Sequence, residues 1–178
     1  MDSKTSGLVI SSIAFILAKT TIFNQFGRVA NDNHYVFNLI AMLKTTAEIL
    51  IENLYSVFDV QMSTILCTII YFDRLIKLKT NIHMENFREY LIGCLVIAVK
   101  FNEERQLSLK VWGCSRLGLY NVEIIEFEVL RFLDYSLYIS KQEYQNYNSI
   151  ITKFSSLMLS RDELNSEFLM NYKYEYGR

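Results

Sequence analysis

At 178 residues the chain has the length of one domain, enough to bury about 70% of the surface its unfolded form exposes. With 51% hydrophobic residues, 21% charged residues and 12 each of Phe and Tyr, it is neither disordered nor of low complexity. Its 18 basic residues lie scattered among 19 acidic ones, for a formal net charge of -1, so no basic field exists to attract phosphate backbones and nucleic acid is not an expected partner.

Proline is absent and glycine occurs six times, which removes the usual punctuation of turn-rich β architectures and leaves long helices unbroken. The expected fold class is all-α. The first predicted helix spans 7–26 and carries the apolar run 8–18 behind Lys4. That run has the look of a signal-peptide core, yet Ala18-Lys19 is a poor cleavage context, and the run falls short of the roughly 20 residues a membrane span needs. The run 91–99 is shorter still, so no membrane association is expected. A second helix over 36–58 follows Asn31-Asp32-Asn33, and a third over 61–78 ends at Lys79-Thr80-Asn81. In the third, Met62, Ile65, Leu66, Ile69 and Ile76 make one stripe at helical spacing, and Asp73 falls within it.

The fourth predicted helix, 85–102, is apolar around its whole circumference from Leu91 to Val99, which belongs in the middle of a bundle. Lys100 closes that run, where a cation also gains from the helix dipole. A short fifth helix over 108–114 has Ser108 as candidate N-cap, and Gly118 and Asn121 bracket the start of a sixth over 119–133. There Val122, Ile125, Val129 and Leu133 form a stripe that includes Glu126. A seventh helix spans 141–157, and polarity rises after Ser155.

Asp73 and Glu126 therefore point toward apolar surroundings. An isolated buried carboxylate costs several kcal/mol, so each must be paired, bonded to backbone, or placed where a partner protein covers it. Lys100 is a plausible complement, or it merely terminates its helix; Asp73 pairs with a backbone amide or a basic side chain, or lies at an interface. Catalytic signals are thin. His34 and His83 lie away from the cysteines, and no HExxH, GxSxG, phosphate loop or CxxC pair occurs, so neither an enzyme nor a metal or other cofactor is expected. Cys67, Cys94 and Cys114 sit singly in apolar stretches, as buried thiols of a reducing compartment do, which points to the cytoplasm, the nucleus or both. Tyr71, Phe72, Tyr144 and Tyr147 read as packing aromatics.

The run Ile69-Ile70-Tyr71-Phe72-Asp73-Arg74-Leu75 resembles the cyclin-box signature on its second helix. The stretch 95–104, with its apolar run, Lys100-Phe101 and acidic end, resembles the third box helix. Leu109-Lys110-Val111-Trp112-Gly113, Gly118-Leu119, 126–130 and 133–138 are similar to the fourth and fifth, all in the family's order with nearly ungapped spacing over about 60–147. The single box, the short loops, and Tyr138-Ile139-Ser140 before an aromatic helix look most like the P/U-type cyclins, the phosphate-response cyclins of fungi and their protist relatives.

This resemblance implies a single cyclin-box bundle of five helices around a central buried helix at 34–140, an N-terminal helical extension at 1–33, and a C-terminal helix and polar tail at 141–178. It implies a regulatory subunit that binds and activates a cyclin-dependent protein kinase; the rival is a cyclin-fold binding module for a non-kinase partner of transcription or scaffold type. The positions matching Lys100 and Glu126 face the kinase and hydrogen-bond main-chain groups beside its movable regulatory helix. Those matching Phe101, Tyr135 and Leu137 pack against that helix, and the one matching Asp73 supports the box interior as a structural buried charge. The sequence departs from the pattern in two ways. No Met-Arg-Ala-Ile-Leu motif occurs in 37–54, which leaves a substrate-docking groove without its motif. The arginine that would meet Asp73 is missing, which leaves Lys44 or backbone as its expected partner. With 38 residues after Ser140, no second cyclin fold is expected. The helix 7–26 lies outside the resemblance and is expected to pack on the box or on the kinase.

Overall fold

The computed structural model describes residues 3–26, 34–57, 59–78, 82–104 and 122–160. Within them the chain forms six α-helices and no strand: α1 (Ser3–Phe26), α2 (His34–Val57), α3 (Met62–Lys77), α4 (Phe87–Asn102), α5 (Val122–Phe132) and α6 (Lys141–Ser160). The short helix expected at 108–114, the start expected at 119–121 and the polar segments at 31–33 and 79–81 lie outside the described residues, as does Cys114.

α4 occupies the centre, as its uniform apolarity requires. Every residue from Leu91 to Val99 is buried, and α3, α5 and α2 pack against it. The helix begins at Phe87, two residues later than the periodicity predicts, because His83 to Asn86 form a turn. The Asn86 amide nitrogen bonds the His83 carbonyl at 3.2 Å, and the Asn86 side-chain oxygen accepts from the His83 backbone N–H at 2.8 Å.

α3 is nearly as enclosed. Beyond the predicted stripe it also buries Thr64, Cys67, Thr68, Ile70, Tyr71, Phe72 and Leu75, since α1, α4 and α6 cover it from different sides. The Phe72 and Phe87 rings meet edge-on at 5.6 Å, closing the α3 and α4 layer.

α1 is a core element. Ile10, Ile13, Ala14, Phe15, Leu17, Ala18 and Ile22 are buried against α2, α3 and α6. The stretch Ser6–Gln25 is long and apolar enough to cross a membrane, although the strictly apolar run within it is shorter. More than half of that stretch is buried inside the protein, which is the situation of an internal helix in a bundle. Phe15 stacks on Phe154 of α6 at 5.3 Å, and the Ser12 and Ser155 hydroxyls lie 2.9 Å apart between the same helices. At its other end, Asn24 donates to the Ile82 carbonyl and Gln25 accepts from the Met84 N–H, each at 3.0 Å.

α4 and α5 pack closely at Gly93. A methyl group there would lie 2.7 Å from Val129 Cγ2, 2.9 Å from Ile125 Cγ2 and 3.4 Å from the Ile125 carbonyl oxygen. Both methyls belong to β-branched side chains with little rotamer freedom, so the helices would have to separate. Gly93→Ala is therefore expected to lower stability by about 1–3 kcal/mol even though alanine favours helix by up to about 1 kcal/mol over glycine. A denaturation midpoint equal to or above wild type would contradict this.

Candidate functional site

Lys100, in the last turn of α4, and Glu126, in α5, are brought together. Lys100 Nζ donates to both Glu126 carboxylate oxygens at 2.7 Å. The Glu126 side chain is 14% exposed and that of Lys100 39%, so the carboxylate lies within the protein surface and the ammonium caps it from the solvent side. The stripe that placed Glu126 beside Val122, Val129 and Leu133 is real, for all three neighbours are buried. Its charge is matched by the cation that closes the central helix.

Phe101, which follows Lys100 in the chain, is 55% exposed, Tyr135 is 60% exposed, and Leu137 is half-buried against the core. Tyr135 and Leu137 belong to the segment joining α5 to α6, which α3 holds in place. The buried Tyr71 donates its hydroxyl to the Leu137 carbonyl at 2.8 Å. Burial pushes the Tyr71 phenol up to about 12, with the Arg74 guanidinium and the Asn102 amide opposing that shift, so the phenol remains a donor throughout the ordinary pH range. Arg74 donates to the Ser136 carbonyl at 2.8 Å and to the Tyr138 carbonyl at 2.9 Å. It also forms a two-pronged pair with Glu143 of α6, at 3.2 and 2.7 Å. The helix-ending residues Asp134 and Tyr135 both have left-handed backbones, with φ of 50° and 54°, and the Tyr135 N–H reaches back to the Leu130 carbonyl at 2.9 Å.

Asp73 corrects the sequence reading. Its side chain is 16% exposed, at the edge of the core, and pairs with Lys77 one turn later at 2.7 Å. It also accepts from the Tyr147 hydroxyl of α6. Lys44 instead pairs with Glu48 on its own helix at 2.7 Å. The reason is topological, since the Asp73 side of α3 faces α6 whereas α2 packs on α1 and α4. Tyr147 thus adds a polar role to its packing role against the core.

Two contributors escaped the sequence reading. Glu103, just past α4, accepts from the Gln61 N–H at 2.9 Å and from the Thr64 hydroxyl at 2.6 Å. It caps α3, whose own N-cap Gln61 makes no side-chain cap, and its charge suits a helix N-terminus. No local motif announces a cap supplied from 42 residues away. The Arg74 pair with Glu143 is equally non-local. Half of its signal is visible, because Ser140-Lys141-Gln142-Glu143 has capping-box spacing and the Glu143 N–H does bond the Ser140 hydroxyl, at 3.1 Å.

The described residues thus present an ion pair that is partly open to solvent, with the exposed Phe101 following Lys100 in the chain. Cys67 and Cys94 are buried and free. Burial raises both thiols, Cys67 to about 11, so they fill the core as protonated groups. Among the described residues no group of three or more His, Cys, Asp or Glu side chains could hold a metal ion.

The family model described as cyclin, N-terminal domain, matches residues 22–138. That span runs from the last turns of α1 to the segment after α5 and contains Asp73, Lys100, Phe101, Glu126, Tyr135 and Leu137. Comparison with curated proteins and with solved structures gives no match.

Proposed function

The chain belongs to the cyclin family, whose box is a regulatory, non-catalytic fold, and on that premise we propose that it binds and activates a cyclin-dependent serine/threonine protein kinase. The observation that carries this reading is the Lys100 and Glu126 pair at the protein surface, together with the exposed rings of Phe101 and Tyr135. A polar anchor within an apolar surface gives an interface its register, and the aromatic groups give it affinity. The kinase conformation with its regulatory helix turned inward offers main-chain groups to the anchor and an apolar face to Phe101, Tyr135 and Leu137. Binding that conformation preferentially completes the lysine and glutamate pair that positions ATP in the kinase. Moving a kinase from mostly inactive to mostly active takes about 5.5 kcal/mol of such preference.

Within the family we place the chain with the P/U-type cyclins. The short connection from α5 to α6 and the aromatic Tyr144 and Tyr147 at the start of α6 support that placement. Cytoplasm, nucleus or both are the proposed locations, in keeping with the free, buried Cys67 and Cys94.

A pull-down from native lysate with the full chain, assayed for co-purifying kinase and its activity, tests the reading. Recovery of an active proline-directed kinase is the expected result. A folded chain that recovers none would favour a cyclin-fold module for a non-kinase partner.

A further inference from the structure

We propose that Arg74, acting with Tyr71 and Glu143, is a positioning residue for kinase binding: it fastens the segment after α5 to α3 and so holds Tyr135 in its binding shape. The proposal deepens the kinase-binding reading and rests on it.

Three consecutive carbonyls, of Ser136, Leu137 and Tyr138, accept hydrogen bonds from α3 side chains: the first and third from Arg74, the middle one from Tyr71. Tyr71 and Arg74 are three residues apart and so lie on one face of the helix, with the guanidinium 5.9 Å from the tyrosine ring centre. A segment with three successive carbonyls turned to one helix face has no freedom left to twist. Immediately before it, Asp134 and Tyr135 both occupy the left-handed region, which is unfavourable for side-chain-bearing residues and persists only where the surroundings over-determine it. The Arg74 and Tyr71 bonds, with the return bond from the Tyr135 N–H to Leu130, supply that determination.

Glu143 shows that the latch has first claim on its side chain. At the third position after the Ser140 cap, a glutamate ordinarily folds back on the cap's own N–H. Here its two oxygens face Arg74 instead. Arg74 makes four such bonds, to two carbonyls and both oxygens of the carboxylate; a lysine has three donors on one nitrogen and supplies the charge without the planar fork. With the latch open, Asp134 and Tyr135 relax toward ordinary backbone angles, and the exposed Tyr135 ring loses the orientation that kinase binding uses.

The test measures affinity for the kinase that the wild-type chain recovers, using Arg74→Gln, Arg74→Lys, Tyr135→Ala, and the double variant of Arg74→Gln with Tyr135→Ala. Each Gln or Ala single variant is expected to bind roughly tenfold more weakly, Arg74→Lys to fall between Arg74→Gln and wild type, and the double variant to be no weaker than its weaker parent, because both changes remove the same contact. Amide exchange should quicken at 135–139 in Arg74→Gln and stay slow in α4. Should α4 also quicken, Glu143→Gln replaces Arg74→Gln in the same cycle. Wild-type affinity in Arg74→Gln, or losses that multiply in the double variant, would overturn the positioning role while leaving the kinase reading intact. A wild-type chain that binds no kinase removes that reading and the proposal with it.

Discussion

Glu126→Ala is expected to weaken kinase binding by about 2–5 kcal/mol, a loss of roughly thirtyfold to several thousandfold in affinity, with little change in the stability of the free chain. The asymmetry follows from the geometry. In the free protein Lys100 is 39% exposed, so without its partner it turns to water, and the loss is that of a surface pair, about 1 kcal/mol or less. In the proposed complex a kinase covers that surface, and the same ammonium is then buried without its carboxylate partner. Lys100→Ala should show the converse pattern. It strands Glu126, 14% exposed, inside the free chain, so stability falls together with binding. Titrating both variants against the recovered kinase, alongside their denaturation curves, separates the two. Equal affinity for wild type and Glu126→Ala would show that the pair is only a structural brace between α4 and α5.

Deleting 3–26 is expected to abolish folding altogether. By sequence this helix was an extension expected to pack on the box or on the kinase; its residues Ile10, Ile13, Leu17 and Ile22 are each at most 2% exposed, packed within the bundle. At about 1.5–3 kcal/mol for each buried aliphatic side chain, these four alone contribute an amount comparable to the 5–15 kcal/mol total stability of a typical domain. Their removal also bares the faces of α2, α3 and α6 that they cover. Circular dichroism and sedimentation of the truncated chain should show an aggregated or unfolded product. A soluble, cooperatively melting truncation would instead make α1 an accessory helix.

How much of this was legible in the sequence depended on the range of each interaction. The uniformly apolar run at 91–99 foretold the enclosed α4, and the stripe through Val122 and Val129 placed Glu126 correctly, because both are periodicities within one helix. The partner of Glu126 was suggested by the position of Lys100 at the end of the apolar run. The partner of Asp73 was misassigned, because a residue on an adjacent turn and a tyrosine 74 positions away cannot be ranked against Lys44 without knowing which helices touch. The burial of α3 on nearly all sides was hidden for a related reason. Thr64 and Thr68 fall outside the apolar stripe, yet Thr68 satisfies its hydroxyl on the Thr64 carbonyl within the helix, at 3.3 Å, and can be buried at little cost. Glu103 and Arg74 entered the sequence reading only as members of the family-like stretches, and the capping and latching they perform exist only once α3 is packed.

The contact of Phe15 with Phe154, and of Ser12 with Ser155 beside it, has a consequence for how the protein is made. These partners are separated by about 140 residues, so on a ribosome adding 5–20 residues per second the apolar side of the first helix is synthesised on the order of ten seconds before the helix that covers it. Until then the strip of α1 that faces α6 stays uncovered, although α2 and α3 already pack on its other sides, and that strip is a natural place for a chaperone to hold the nascent chain. The same late helix brings Glu143 to Arg74, so the segment that carries Tyr135 and Leu137 is fully latched only once α6 has been made, and the proposed kinase-binding face is completed no earlier.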